Sequence, residues 1–487
     1  MNRSTISLAG AVAALAVLTG AAVVSGGGDR DTAPVASAAR LPVQRSNLLC
    51  PAPSSSEFAN TTYTSFTPQG TAGATGSGSA QLVPATPKGK ALTPLKAAGK
   101  PATSSTDKPD APALIGTADG PLAPGWTVQQ TTVVDTGAGR GLLGASCVAP
   151  DSEFWFAGAS TGPDRQDFLH LVNPDDTPAV VDIELYGKDG LLKASTGDGV
   201  TVAGKSAKPV LLSTLVADKA QDLTVHVVAR SGRVGAAVQA IDKKLGSDWL
   251  TPAAEPATSL VLPGIPADAA TVRLVVYAAG SDDADLTLKL ATPTGSITPA
   301  GHETLHVKSG MTSAVDLGDL TKGEAGSLVI TSSQVHAAVP VVAGLRVTRG
   351  KGAKQEMAFL PATPAIETRS TVADNRTKGS TLSLVAVGQD ASVKITASAG
   401  SSGGEPVSKT VSVKAGTTVA VPPPLPASGK GTFAVTVERV SGGSVYASRT
   451  LALPLDGVPM FTIQPMSDDH GMVDVPAARA DLGILNH

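Results

Sequence analysis

One pattern recurs three times in this chain and leaves little room for helix. Alternating stretches begin at Asp167 ("DFLHLVN"), Thr271 ("TVRLVVY") and Thr381 ("TLSLVAV"). Each runs into an aspartate turn ("NPDDTP", "GSDDAD", "GQDAS") and returns as a second alternating stretch ("AVVDIELYG", "LTLKLAT", "SVKITAS"). Period-two alternation bounded by Gly, Pro and Asp predicts half-buried antiparallel strands. A further strand–turn–strand follows in each copy: "VTVAGKSAKPV" from Val200, "LHVKSGMTSAV" from Leu305 and "VSVKAGTTVAV" from Val411. The copies define units over 152–257, 258–367 and 368–466, with a tail over 467–487. The expected fold is all-β, with tandem immunoglobulin-like β-sandwich units. The composition agrees: 52 Gly and 36 Pro in 487 residues suit short strands and many turns more than long helices.

The N-terminus reads as an export signal. Arg3 precedes the uncharged apolar run Ile6–Val24, and Ala36 and Ala38 offer a cleavage pattern. The run is long enough to span a bilayer, so residues 1–40 are either a signal peptide or an N-terminal membrane anchor. Both place the rest of the chain outside the cytoplasm, secreted or held at the outer face of the cytoplasmic membrane, with membrane contact only through this segment. Cys50 and Cys147 are the only cysteines, and in an exported chain they are expected to form one disulfide. Residues 41–151 read as an N-terminal β segment containing a disordered insert over 69–113. The insert is rich in Gly, Pro, Ser and Thr and carries Lys88, Lys90, Lys96, Lys100 and Lys108, which reads as a solvated linker. With a net charge of −3, no basic surface asks for nucleic acid.

One motif suggests chemistry. "HETLH" places His302 and His306 four apart with Glu303 between them, the zinc-hydrolase pattern when it lies on a helix. The repeat argues against it. His306 aligns with Thr201 and Ser412, at an outward position on a strand, where i and i+4 side chains stand about 13 Å apart. The turn aspartates Asp175, Asp176, Asp282, Asp283, Asp285 and Asp390 are oxygen donors suited to calcium, but Asp also favours turns by bonding its own backbone. His170 and His226 sit inside apolar alternation. "GLLGASC" at Gly141 lacks the spacing of a nucleophile elbow. The chain therefore reads as a non-enzyme with no expected cofactor. Among Trp126, Trp155 and Trp249, the "FWF" alternation turns Trp155 away from Phe154 and Phe156. That makes Trp155 the candidate binding residue, since a sugar site wants an open indole face.

"SEFWFAGASTG" running into "DFLHLVNPDDTPAVVDIELYGKDG", together with "RSNLLCPAP", "GRGLLGASCVAPDSEFWF", "DLTVHVVARSGRVGAAVQA" and "GLRVTRGKGAKQEMAFLPA", resembles the exported actinobacterial proteins of the DUF5719 family. The resemblance covers nearly the whole mature chain. Members of that family are often encoded beside a large membrane glycosyltransferase and sugar-phosphate enzymes, which implies a role in envelope glycan assembly. The family has no assigned catalytic residues. The expected partners are thus a cell-envelope glycan or envelope protein, or a membrane glycosyltransferase served as an accessory subunit through the N-terminal helix.

Overall fold

The computed structural model describes residues 39–476 apart from 72, 75, 87–88, 138 and 334–337. The apolar run Ile6–Val24 and its cleavage pattern, Lys88 and most of the C-terminal tail lie outside the described residues. Among the described residues, helix is confined to two single turns, Gly120–Leu122 and Leu212–Thr214, and neither is long enough to cross a membrane. The described ends, Ala39–Pro42 and Met472–Val475, pair as a two-stranded sheet.

Alternation does in space what it promises in sequence. In Ala179–Gly187, Val181, Ile183 and Leu185 are buried while Val180, Asp182, Glu184 and Tyr186 face outward. The three aligned strand–turn–strand segments also superpose in register. Val202, Val307 and Val413 are each fully buried, opposite Ala179, Ala284 and Ala391.

Four sandwiches result, all with one strand plan. Counting the seven main strands of unit 1, the first (Glu153–Ala159), fifth (Leu223–Ser231) and third (Ala179–Gly187) form one layer, which the short strands Gly190–Leu191 and Val200–Val202 extend. The fourth (Ser206–Leu211), second (Arg165–Asn173), sixth (Gly235–Asp242) and seventh (Gly246–Leu250) form the other. Unit 2 repeats this order from Ser259–Ile265 to Lys354–Pro361. In unit 3 the second and third strands fuse into Ser380–Ala397, and the fifth and sixth into Phe433–Ala452. Two long strands thereby run through both layers of that unit.

The fourth sandwich is the N-terminal segment. Arg45–Cys50, Leu114–Asp119 and Ala80–Pro84 form its first layer, and Ala102–Thr106, Ala59–Phe66, Thr127–Val134 and Gly141–Ser146 its second. The stretch 69–113 is therefore not the disordered insert expected from composition. It supplies the third and fourth strands, and Ala80, Leu82, Leu95 and Ala113 are buried. Each of those strands has only five residues, so two or three inward side chains suffice and leave almost no hydrophobic pattern.

The four units form a closed ring rather than a string. The seventh strands pack side by side around one axis in the order N-terminal unit, unit 1, unit 2, unit 3 and back again. Around that ring, the outer face of each first layer packs on the second layer of the next unit. Small apolar clusters mark the four contacts. Leu49 and Ile115 meet Val172; Trp155 and Ala157 meet Val275, Tyr277 and Val342. Val261 and Ala291 meet Val385, and Ala373 and Ala434 meet Phe66. Two contacts share a threonine device. Thr312 Oγ1 donates to Tyr186 O (2.8 Å), and Thr418 Oγ1 to Ala291 O (2.8 Å).

Cys50 and Cys147 are disulfide-bonded, tying the first strand of the N-terminal unit to the exit of its seventh across 97 residues of sequence. A loop of that length contributes at most about 4–5 kcal/mol on the chain-entropy account. Cys147→Ser is expected to lower Tm by several degrees and to open Leu48–Pro51 to proteolysis. Differential calorimetry and limited digestion measure both, and an unchanged Tm would contradict the staple.

Candidate binding cleft on the ring axis

The seventh strands leave the axis at one end, and a proline stands at or just beyond each exit: Pro150, Pro252, Pro364 and Pro465. Proline removes a backbone donor and stops the ladder, so the chains splay apart there. Between them lies a cleft of about 600 Å³ to which all four units contribute. The N-terminal unit lends Arg45, Asn47, Trp126 and Ser146, and unit 1 lends Arg233 and Thr251. Unit 2 lends Ala362, and unit 3 lends Ser370, Thr371 and the loop from Met466 to His470.

The cleft's charges are mostly balanced. Arg233 makes a two-pronged contact with Asp175, at 3.1 Å on each side. The Asp468 carboxylate accepts the N–H groups of Thr368 (2.7 Å) and His470 (2.9 Å). Asp469 pairs with Arg369, yet burial still pushes its carboxyl pKa up. Ser46 and Ser146 donate their hydroxyls to Ala123 O and Gln129 Oε1. Arg45 is exposed at the rim. Trp126 is 5% exposed, with its indole N–H donated to Ser65 Oγ (2.9 Å). Trp126 therefore presents no open indole face to the cleft.

The residues singled out from sequence lie elsewhere. Trp155 does not offer an open indole face. It is 6% exposed in the contact between units 1 and 2, stacked on His226 at 3.6 Å and on Tyr277 at 5.4 Å. His226 in turn bridges Glu153 (2.9 Å) and Glu184 (2.8 Å), so it faces outward at the edge of that contact. His170 is buried against Trp249, and burial pushes its pKa down to about 4.

"HETLH" lies in a turn and the strand Thr304–Val307, with His306 opposite Asp285. Its imidazole bonds Asp285 (2.8 Å), which raises its pKa, and Asp283 (3.3 Å). Glu303 accepts the N–H of Gly301 in its own turn. His302 lies in that turn before the strand, so the two imidazoles do not share a helical face. Two of the turn aspartates bind backbone: Asp283 accepts the N–H of Ser309 and Asp390 that of Ala415, the same tie in units 2 and 3. "GLLGASC" is the seventh strand of the N-terminal unit with its exit to Cys147.

Within the ring, at the axis, the seventh strands touch through two buried carboxylates. Asp248 accepts Gly144 N–H (3.1 Å) and Thr462 Oγ1–H (3.1 Å), joining units 1, N-terminal and 3. Glu356 of unit 2 accepts Leu142 N–H (3.2 Å) and lies 3.6 Å from Arg140. Burial raises both, Glu356 to about 8 against the partial offset from Arg140. Local sequence gave no signal for these groups, because each is meaningful only beside strands from other units.

A ring of four β-sandwiches with an axial cleft is the class that the fold defines. The family model described as a family of unknown function (DUF5719) matches residues 102–424, and the chain belongs to that family. No curated protein matches the chain.

Glu356 predicts a pH dependence. Its pKa rises from 4.5 to about 8 on folding, so its share of stability is complete below about pH 4.5 and drains away as pH climbs through 8. Glu356→Gln should gain Tm relative to the parent at pH 8.5 and show little gain at pH 4.5. Equal shifts at both pH values would mean that the carboxyl titrates normally.

Proposed function

We propose that this protein is a non-catalytic binding and scaffolding component of the cell envelope, working outside the cytoplasm and seating its ligand in the axial cleft. The carrying observation is the cleft itself: about 600 Å³, built jointly by all four units, at the exit of the strands that organise the ring. Ligand pockets fall typically in this size range and prefer the junctions between domains. The Cys50–Cys147 disulfide supports an oxidising compartment. The gene neighbourhood implied by the resemblance supports an envelope glycan or a protein of glycan assembly as the ligand. With Trp126 buried and Trp155 covered, that ligand would be held by polar contacts from Arg45, Asn47, Thr371 and His470.

Two variants test the site. Ala149 is exposed and lines the cleft, so Ala149→Trp fills it without touching a core; Arg45→Glu reverses the rim charge. Purified protein should retain sheared cell-wall glycan or a protein from mild-detergent envelope extract, and each variant should weaken that retention at least tenfold while its melting curve stays unchanged. Full retention by both variants would move the site off the axis.

A further inference from the structure

Three of the ring's four contacts join units that follow one another in sequence. The fourth, between unit 3 and the N-terminal unit, is crossed by no direct chain connection, and it differs in chemistry. Phe66, Ala373 and Ala434 supply one small apolar cluster, and Leu142, Leu451, Val458 and Met460 another. Between these the facing surfaces are polar. Gln129 and Thr131 pair with Ser146 and Gly144 on the neighbouring strand, and Gln464 of unit 3 lies directly over Gly144. Gln129 Nε2, Thr131 Oγ1, Thr64 Oγ1 and Gln464 Nε2 are buried there without a protein partner. Each such group goes without a hydrogen bond to protein while the contact is shut and regains water when it parts. The contacts of unit 2 with units 1 and 3 carry instead the satisfied Thr312 and Thr418 bonds. At the cleft end, the seam is held by Arg369. Its guanidinium is paired with Asp469 and donates to Thr71 Oγ1 of the N-terminal unit (3.1 Å), while Val43 N–H donates to Gly471 O (3.0 Å).

We infer that the ring opens at this seam, with the Arg369–Thr71 hydrogen bond as its latch and Asp469 holding the guanidinium in place, and that opening widens the axial cleft, whose walls on that side are Trp126 and Ser146 against Ser370 and Met466. The link to ligand entry rests on the cleft being the binding site; the mobility of the seam does not.

The two native cysteines are bonded to each other, so introduced thiols label selectively. Nitroxides at exposed Lys108 and Lys378 span the seam, and nitroxides at exposed Lys193 and Lys308 span the contact of units 1 and 2 as a control. Pulsed electron double resonance on the ligand-free protein should give the seam pair a second, longer distance that the control pair lacks. That component should grow in Arg369→Gln and in Thr71→Val. A seam distribution as narrow as the control in the otherwise wild-type chain overturns the proposal. Failure of the cleft variants to lose ligand would leave this distance measurement untouched, so the two readings fall separately.

Discussion

Everything in this molecule is arranged around strands that approach one axis more closely than side chains allow. A Cβ on Gly144 would stand 2.4 Å from Gln464 Nε2 and 2.6 Å from Thr462 Cγ2; one on Gly141 would meet Ser247 O at 2.3 Å. Gly246 adds a positive φ of 81°, where a side chain would be strained as well as crowded. Because the walls are bare at these points, carboxylates from neighbouring units reach backbone N–H groups directly. Asp248 and Glu356 are the result, and their burial is the electrostatic cost of bringing four units together. The same convergence forces the strands apart beyond their prolines and so creates the cleft.

The ring is repetitive in plan and uneven in chemistry. Each first layer covers the second layer of the next unit, which hides sheet faces that would otherwise expose apolar patches. Trp155 shows how this changes a residue's meaning. Its outward direction on the strand is what alternation promised, but outward in this ring means toward unit 2, against Tyr277. A tandem array would have left the indole in water. Ring closure also gives the first and last units a contact that no linker enforces, and there polar side chains lie between two small apolar clusters.

The legible part of the fold was the part written in strong alternation. Val181, Ile183 and Leu185, or Leu286, Leu288 and Leu290, announce inward faces without help from distant residues. The N-terminal sandwich escaped because its core is half polar. Thr61 and Thr132 share a hydroxyl hydrogen bond of 2.8 Å there, and Gln130 sits opposite Tyr63. Hydrophobic period cannot report a core that is not uniformly hydrophobic. His306 was readable for the opposite reason: its two sister copies supplied Thr201 and Ser412 as register marks, and the strand pairing with Asp285 follows them.

The sequence by itself determined the strands, their aspartate turns, the threefold repeat after Cys147 and the pairing of its only two cysteines. These depend on neighbours within a few residues, or on there being a single possible partner. Only the tertiary structure decided that the N-terminal segment is a fourth copy, that four copies close into a ring, and that Arg45, Thr251, Ala362 and His470 face one cleft. Those facts depend on which outer sheet face covers which. Such a choice is made by packing between residues hundreds of positions apart, and a period of two along one strand carries no record of it.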